Sequence, residues 1–372
     1  MKMGCGAGSV RGGEQVVRYA GDDLRAFIAR VLTWAGARPQ DAEITADGLV
    51  AADIRGVHSH GIALAEAYVT RLKAGGINPA ATLLIERDRG PVVVADAQAG
   101  LGIAMAVRAM DLALARAAEY GIGVVGVRNS NHCGMLAYVA MRALPHQMLG
   151  IVASNADAQV APWGARARYM GTNPLAVAVP AGAEAPIVLD MASSVVSHGR
   201  IRAAAARGVA IPSGWALDET GRPTTDPRRA LAGALLPFGG PKGSGISLLI
   251  DILAGILPGA LSGPEVVPLF ASPERPQGVG HLLIAILVTA FGDPDTIRQR
   301  IDRLIREVRA LPLAEGHEQI LLPGEIEYSR GQEYVRRGIP LPAEATEAMA
   351  RLAGVTGIPE PAPHPVPSDD DC

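Results

Sequence analysis

Seven consecutive residues, Arg55-Gly56-Val57-His58-Ser59-His60-Gly61, place a hydroxyl, two imidazoles and two flanking glycines side by side. An imidazole held by its neighbours keeps or delivers a proton near neutral pH, as general acid–base catalysis requires. Gly56 and Gly61 let the backbone turn sharply and let another molecule approach it. The competing reading is a surface turn that happens to carry two histidines.

Three other places offer chemistry. Gly239-Gly240-Pro241-Lys242-Gly243-Ser244-Gly245 opens an apolar helix with free amides beside an ammonium, a seat for a phosphate or pyrophosphate. It lacks the Walker order, and no Gly-x-Gly-x-x-Gly follows an early strand, so neither a P-loop nor a Rossmann fingerprint is present. His132 follows the glycine-rich run Gly121–Val127 and is either a ligand-contacting or a structural histidine. Asp190 ends the apolar run Ile187-Val188-Leu189, where a carboxylate either caps a helix or orients a histidine. His198 and His58 read as surface or structural groups.

These residues need elements to position them. Leu24, Phe27, Ile28, Val31 and Leu32 recur at helical spacing behind Asp22-Asp23, and a second helix runs to about Ala52, delivering the His60 stretch. A third covers about Ala63 to Lys73 and stops at Gly75-Gly76. A strand at Pro91–Ala95 and a long helix from Ile103 to Tyr120 lead to the Gly121–Val127 strand, which hands Arg128 to His132 to a loop. A helix over Met135–Leu144 comes next, with strands at Leu149–Ser154, Leu175–Val179, Ile187–Met191 and Leu282–Thr289. Residues 200–237, rich in turn formers, are expected to wrap over a neighbouring lobe. Further helices cover Ile246–Ile256, the stretch after Asp293-Pro294, the stretch after Leu322-Pro323-Gly324, and Pro342–Ala353. Strands separated by both helices and plain loops indicate a mixed α+β fold.

The chain has 372 residues, 49% hydrophobic and 19% charged, enough for a large core. A net charge of −3 with both signs interspersed argues against nucleic acid. Cys5, Cys133 and Cys372 have no zinc-site spacing, so no metal is expected, and free thiols suit a cytoplasmic location. The Gly-rich start does not read as a signal peptide, and no apolar run is long enough for a membrane span. A flexible extension is expected over 1–20 and a disordered tail over 358–372.

Taken together, GVHSHG, LKAGGINP, VRNSNHCG, APWGARARYMGTNPLAVAVP, IVLDMASSVVSHGRI, GWALDETGRPTTDP, PFGGPKGSGISLLIDILAGIL and LPGE resemble the malate/L-lactate dehydrogenase family that lacks a Rossmann fold. That family includes ureidoglycolate and sulfolactate dehydrogenases, diketogulonate reductase and piperideine-carboxylate reductase. The resemblance spans about residues 22–355. It implies a helical lobe from 21–85 with 294–357, and an NAD- or NADP-binding lobe over 86–293 with a mostly antiparallel sheet. It also implies a homodimer acting on a small molecule. Ser59 and His60 match the family's catalytic serine and proton donor, and Asp190 the carboxylate placed with them. Pro186, Ile187, Val188, Leu189, Asp190, Met191 and Ala192 match a segment that holds the dinucleotide. So do Pro241-Lys242 and Gly324-Glu325-Ile326, with His132 the ligand-side histidine. One departure bears on substrate. Leu64 stands where the family usually has a carboxylate-gripping arginine, leaving Arg55, Arg71 or Arg200 as alternative cations. The expected reaction is hydride transfer to a carbonyl, with a cyclic imine reductase or a catalytically silent nucleotide-binding homologue as alternatives.

Overall fold

A computed structural model describes residues 17–364. A two-residue strand β1 (Arg18–Tyr19) precedes the helices α1 (Gly21–Trp34) and α2 (Pro39–Ile54). Two 3-10 turns, His58–His60 and Ile62–Leu64, lead into α3 (Ala65–Ala74). Next come β2 (Leu84–Arg89), β3 (Val92–Asp96), α4 (Gly102–Tyr120), β4 (Ile122–Ser130), α5 (Leu136–Ala140), β5 (Met148–Ser154), β6 (Leu175–Val179) and β7 (Ile187–Met191). The connecting region holds α6 (His198–Arg207), β8 (Ala216–Leu217), α7 (Pro227–Ala232) and β9 (Ala234–Leu235). The chain continues with α8 (Pro241–Ile250), a π-helical turn at Asp251–Ile256, β10 (Val279–Leu287), α9 (Pro294–Arg309), α10 (Glu325–Arg337), β11 (Ile339–Pro340) and α11 (Ala343–Thr356).

The seven-stranded sheet has the order β2-β3-β4-β10-β5-β6-β7. Every neighbouring pair is antiparallel except β3–β4, which α4 joins as a crossover. The mixed, mostly antiparallel α+β fold is therefore as the sequence indicates. Its principal apolar core runs without a break from α1, α2 and α3 through α4 into β3, β4 and β5. The apolar face expected of α1 is the one buried: Leu24, Phe27, Ile28, Val31 and Leu32.

Several expectations are corrected. Arg128-Asn129-Ser130 belong to β4, because β3 extends alongside them to Asp96 and β10 pairs as far as Ser130. The helix expected over Met135–Leu144 is α only to Ala140, and Pro145 lies within the 3-10 turn that continues it. Residues 200–237 are not a bare wrap. They carry α6, α7 and two short strands around a small core of Val160, Met170, Val196, Ile201, Ile211 and Leu235. At the tail, Pro363 bridges to Tyr19 and the His364 amide donates to the Arg18 carbonyl, so residues 363–364 are held against the first strand. The rest of both terminal expectations, 1–16 and 365–372, lies outside the described residues.

α9 docks on the loop after β6. Asp302 accepts hydrogen bonds from the amides of Gly182, Ala183 and Glu184, and Arg309 pairs with Glu184. No helix among the described residues is long and apolar enough to cross a membrane.

Candidate active site

A buried carboxylate builds the histidine turn. Asp53, in the last turn of α2, is fully buried and accepts from His58 Nδ1 at 2.7 Å and from the Ile62 amide at 2.8 Å. A Cβ on Gly61 would collide with that carboxylate, so the glycine is required by this close approach. Desolvation raises the Asp53 pKa, and the bonds from His58 and Ile62 oppose the rise. His58 is thus a structural ligand of Asp53, and the turn presents Ser59 and His60 outward. Asp53 carries no motif of its own; only its spacing to His58 hinted at it.

His60 Nδ1 lies 2.9 Å from Ser59 Oγ, and its half-buried ring stacks on His132 with centroids 5.6 Å apart and planes at 22°. His132 Nδ1 receives the Tyr68 hydroxyl at 2.7 Å and the Gly134 amide at 3.3 Å. A backbone amide only donates, so Nδ1 is the acceptor and the ring proton sits on Nε2. The loop bearing His132 is pinned from below: its amide donates to Gln277 Oε1, and Asn131 Nδ2 donates to the carbonyls of Ala99 and Gly100. Burial pushes the His132 pKa down to about 3, with His60 and His281 adding to the effect, and burial also lowers that of His60. Both rings are therefore neutral at pH 7. Tyr68 and Gln277 were not legible as site residues, since each is an ordinary member of its element until the fold closes.

Asp190 resolves differently from its assigned role. Its Oδ2 accepts from the Ala137 amide at 2.8 Å, capping the start of α5. No hydrogen bond joins it to His60, so orienting that ring falls to Ser59. Asp190 is exposed, yet the protein around it desolvates its carboxylate; this and nearby Glu327 raise its pKa to about 6, against the Ala137 bond and Arg55. Arg55 is half-buried, feels Glu327 and Asp190, and its Nε is buried with no hydrogen-bond partner. Glu327 was missed because only the fold carries α10 to this cleft.

Leu64 is 8% exposed and belongs to the principal apolar core. Standing where relatives have an arginine, Leu64 is thus packed into the core at the start of α3. Arg71 is 1% exposed, and its guanidinium donates to the carbonyls of Leu269, Ala271 and Arg275, so it locks a loop and cannot reach a substrate. Arg200 lies in the first turn of α6.

The three segments expected to hold a dinucleotide meet around β7. Gly324, with φ of +90°, lies so close to β7 that a Cβ would stand 2.7 Å from the Val188 carbonyl oxygen, and the Val188 amide donates to the Pro323 carbonyl. This brings Gly324 against the Pro186–Ala192 segment, with Ile326 exposed in the first turn of α10. Glu325 is committed to structure, accepting from the Leu322 amide and from Arg309. Just beyond β7, Ser193 bonds to Ser247 of α8, and the Phe238 amide donates to the Ser193 carbonyl. The α8 N-terminus, with Pro241 and exposed Lys242, therefore lies beside the end of β7. Its first-turn amides have no intrahelical acceptor. A Cβ at Gly243 would strike the Phe238 carbonyl, so the chain can turn this tightly only with glycine there. Bare backbone, free amides and an ammonium that pairs with no carboxylate among the described residues fit an anionic dinucleotide.

A family model described as malate/L-lactate dehydrogenase matches residues 19–350. The L-sulfolactate dehydrogenase of Methanocaldococcus jannaschii is 41% identical over 309 residues, 82% of this chain and 88% of its own. The NAD(+)-dependent ureidoglycolate dehydrogenase of Escherichia coli K12 is 32% identical, over 87% of this chain and 93% of its own. The crystal structure of malate dehydrogenase from Entamoeba histolytica superposes with a TM-score of 0.89 at 30% identity, covering 94% of this chain and 100% of that one. With the match running from β1 into α11 and the fold shared throughout, the chain belongs to the malate/L-lactate dehydrogenase family of NAD-dependent dehydrogenases.

Proposed function

We propose that this chain reduces a carbonyl group, and oxidises the corresponding alcohol, with His60 as the residue that gives and takes the proton. The observation that carries the reading is the stacked His60–His132 pair: both Nδ1 atoms are occupied by protein partners, which leaves the two Nε2 atoms for substrate. NAD(H) or NADP(H), when bound, supplies or accepts the hydride. Lys242 and the α8 amides would offset its phosphate charge, and Pro186–Ala192 with Gly324 and Ile326 would flank it. The NAD(+) dependence in the name of the ureidoglycolate dehydrogenase favours NAD(H).

In the reducing direction His60 delivers its proton to the carbonyl oxygen as negative charge grows there, while Ser59 holds the ring. His132, fixed neutral with its proton on Nε2, donates a hydrogen bond to the same oxygen without competing for the proton. Leu64 gives the pocket an apolar wall. We place the protein in the cytoplasm, a reading supported by the buried free thiol of Cys133. We also propose a homodimer: α8 and the turn after it leave Leu249, Leu253, Ile256 and Leu257 at 57, 39, 58 and 67% exposure, an apolar face suited to a second copy. Sedimentation giving only a monomer would exclude it. The enzymatic reading is tested by following NADH and NADPH absorbance with a panel of oxo acids, their esters and amides, and cyclic imines. No turnover on any of them, with dinucleotide binding intact, would favour the silent homologue; turnover confined to imines would move the reaction to nitrogen.

A further inference from the structure

α10 is anchored at both ends of its first two turns. Gly324 clamps its start to β7, and Gly331 packs close to Ile54 at the end of α2. Between these anchors Glu327 sits in the field of Arg55 and Asp190, and Arg330, three residues on, shares that side of the helix. The Arg330 side chain lies across the bare backbone of Gly56. A Cβ there would stand 2.8 Å from Arg330 Cδ and 3.2 Å from Nη1, and the Gly56 φ of +71° also favours glycine. Gly56 is part of the turn that presents His60, so this guanidinium stands at the edge of the catalytic turn.

The other cations near that turn are spoken for. Arg71 is buried among carbonyl oxygens, and Arg55 is balanced by Asp190 and Glu327. Arg330 is exposed, and among the described residues no carboxylate pairs with it. An arginine held in place by its stem, with its head unpaired, is a fork preorganised for a carboxylate or another oxyanion.

We propose that Arg330 determines substrate specificity by binding an anionic group of the substrate set away from the reacting carbonyl. The inference rests on the carbonyl-reduction reading above. It adds that the preferred substrate is a longer oxo acid, whose charge reaches past the apolar wall at Leu64 to α10. The same chemistry would suit a cofactor phosphate, so the test separates the two sources.

The test uses full-length protein and oxo acids whose carboxylate stands one to five carbons from the carbonyl, each beside its methyl ester. Arg330→Ala should raise KM for the longer acids by roughly 10- to 100-fold, the worth of a lost charge-assisted pair. It should leave KM for the esters unchanged and kcat for the acids within about threefold, and Arg330→Lys should recover part of the loss. Glutarate binding to the NADH-saturated protein, measured by calorimetry, should weaken equally; it needs no turnover, so it stands even if the reaction is assigned wrongly. Unchanged acid KM and unchanged glutarate affinity in Arg330→Ala would overturn the proposal. So would a loss confined to NADPH affinity with NADH affinity intact, which would assign the arginine to a cofactor phosphate.

Discussion

The pH profile of His60→Gln against wild type is the sharpest test of the proton assignment. Burial lowers the His60 pKa below its ordinary 6.5, and His132 is held at about 3. Across the working range His132 stays neutral, so the stacked pair contributes one ionisation, that of His60. Reduction needs His60 protonated: log(kcat/KM) should be flat below its pKa and fall by one unit per pH unit above it. Oxidation needs the neutral ring, so its profile should rise with pH and level off above the same value. Removing the donor should cut turnover by roughly 10²- to 10⁴-fold, about 3 to 5 kcal/mol of transition-state stabilisation. Stopped-flow NADH absorbance from pH 5 to 9 in both directions measures both quantities, with NADH affinity measured separately. Asp190, raised to about 6, is the competing titration, and Asp190→Asn separates them by keeping the limb if it belongs to His60. A limb that persists in His60→Gln, with turnover within a few-fold of wild type, would refute the assignment.

Lys242→Ala should weaken dinucleotide binding by roughly 3- to 10-fold, the worth of one exposed cation beside a helix N-terminus; equal calorimetric affinities would move the cofactor seat elsewhere. Pyruvate and oxaloacetate should be poor substrates, because a carboxylate against Leu64 gains no paired bonds and is desolvated. Leu64→Arg should lower the melting temperature, since it buries an unpaired charge in the principal core, and efficient wild-type turnover of pyruvate would contradict the idea. His281, fully buried between Ser130 and Ser154, has its pKa pushed by desolvation to about 4. The unfolded chain binds that proton more readily, so stability falls as pH drops from 6.5 toward 4, by about 3 kcal/mol from this residue alone. His281→Asn should flatten that part of the denaturation-against-pH curve.

The sequence by itself determined what local patterns can encode. The buried face of α1, the span of α4, the apolar run of β7 and the 55–61 stretch were legible because each is set by spacing or composition within a few residues. The family, too, was legible from motifs strung along the chain. The edge strand β2 was not: all six of its residues are exposed, so it lacks alternation and exists only through pairing with β3. The end of β4 read as loop for a related reason, since its partners β3 and β10 complete it. The site divided in the same way. Sequence marked Ser59 and His60, but only packing decided that Tyr68 reaches His132 across 64 positions, and that His132 then stacks on His60. It decided that Asp190 caps α5, that Leu64 turns into the core, and that Arg330 crosses Gly56. A side chain's type limits the chemistry it can do, whereas its partner, tautomer and exposure come from neighbours distant in the chain, which no local pattern records.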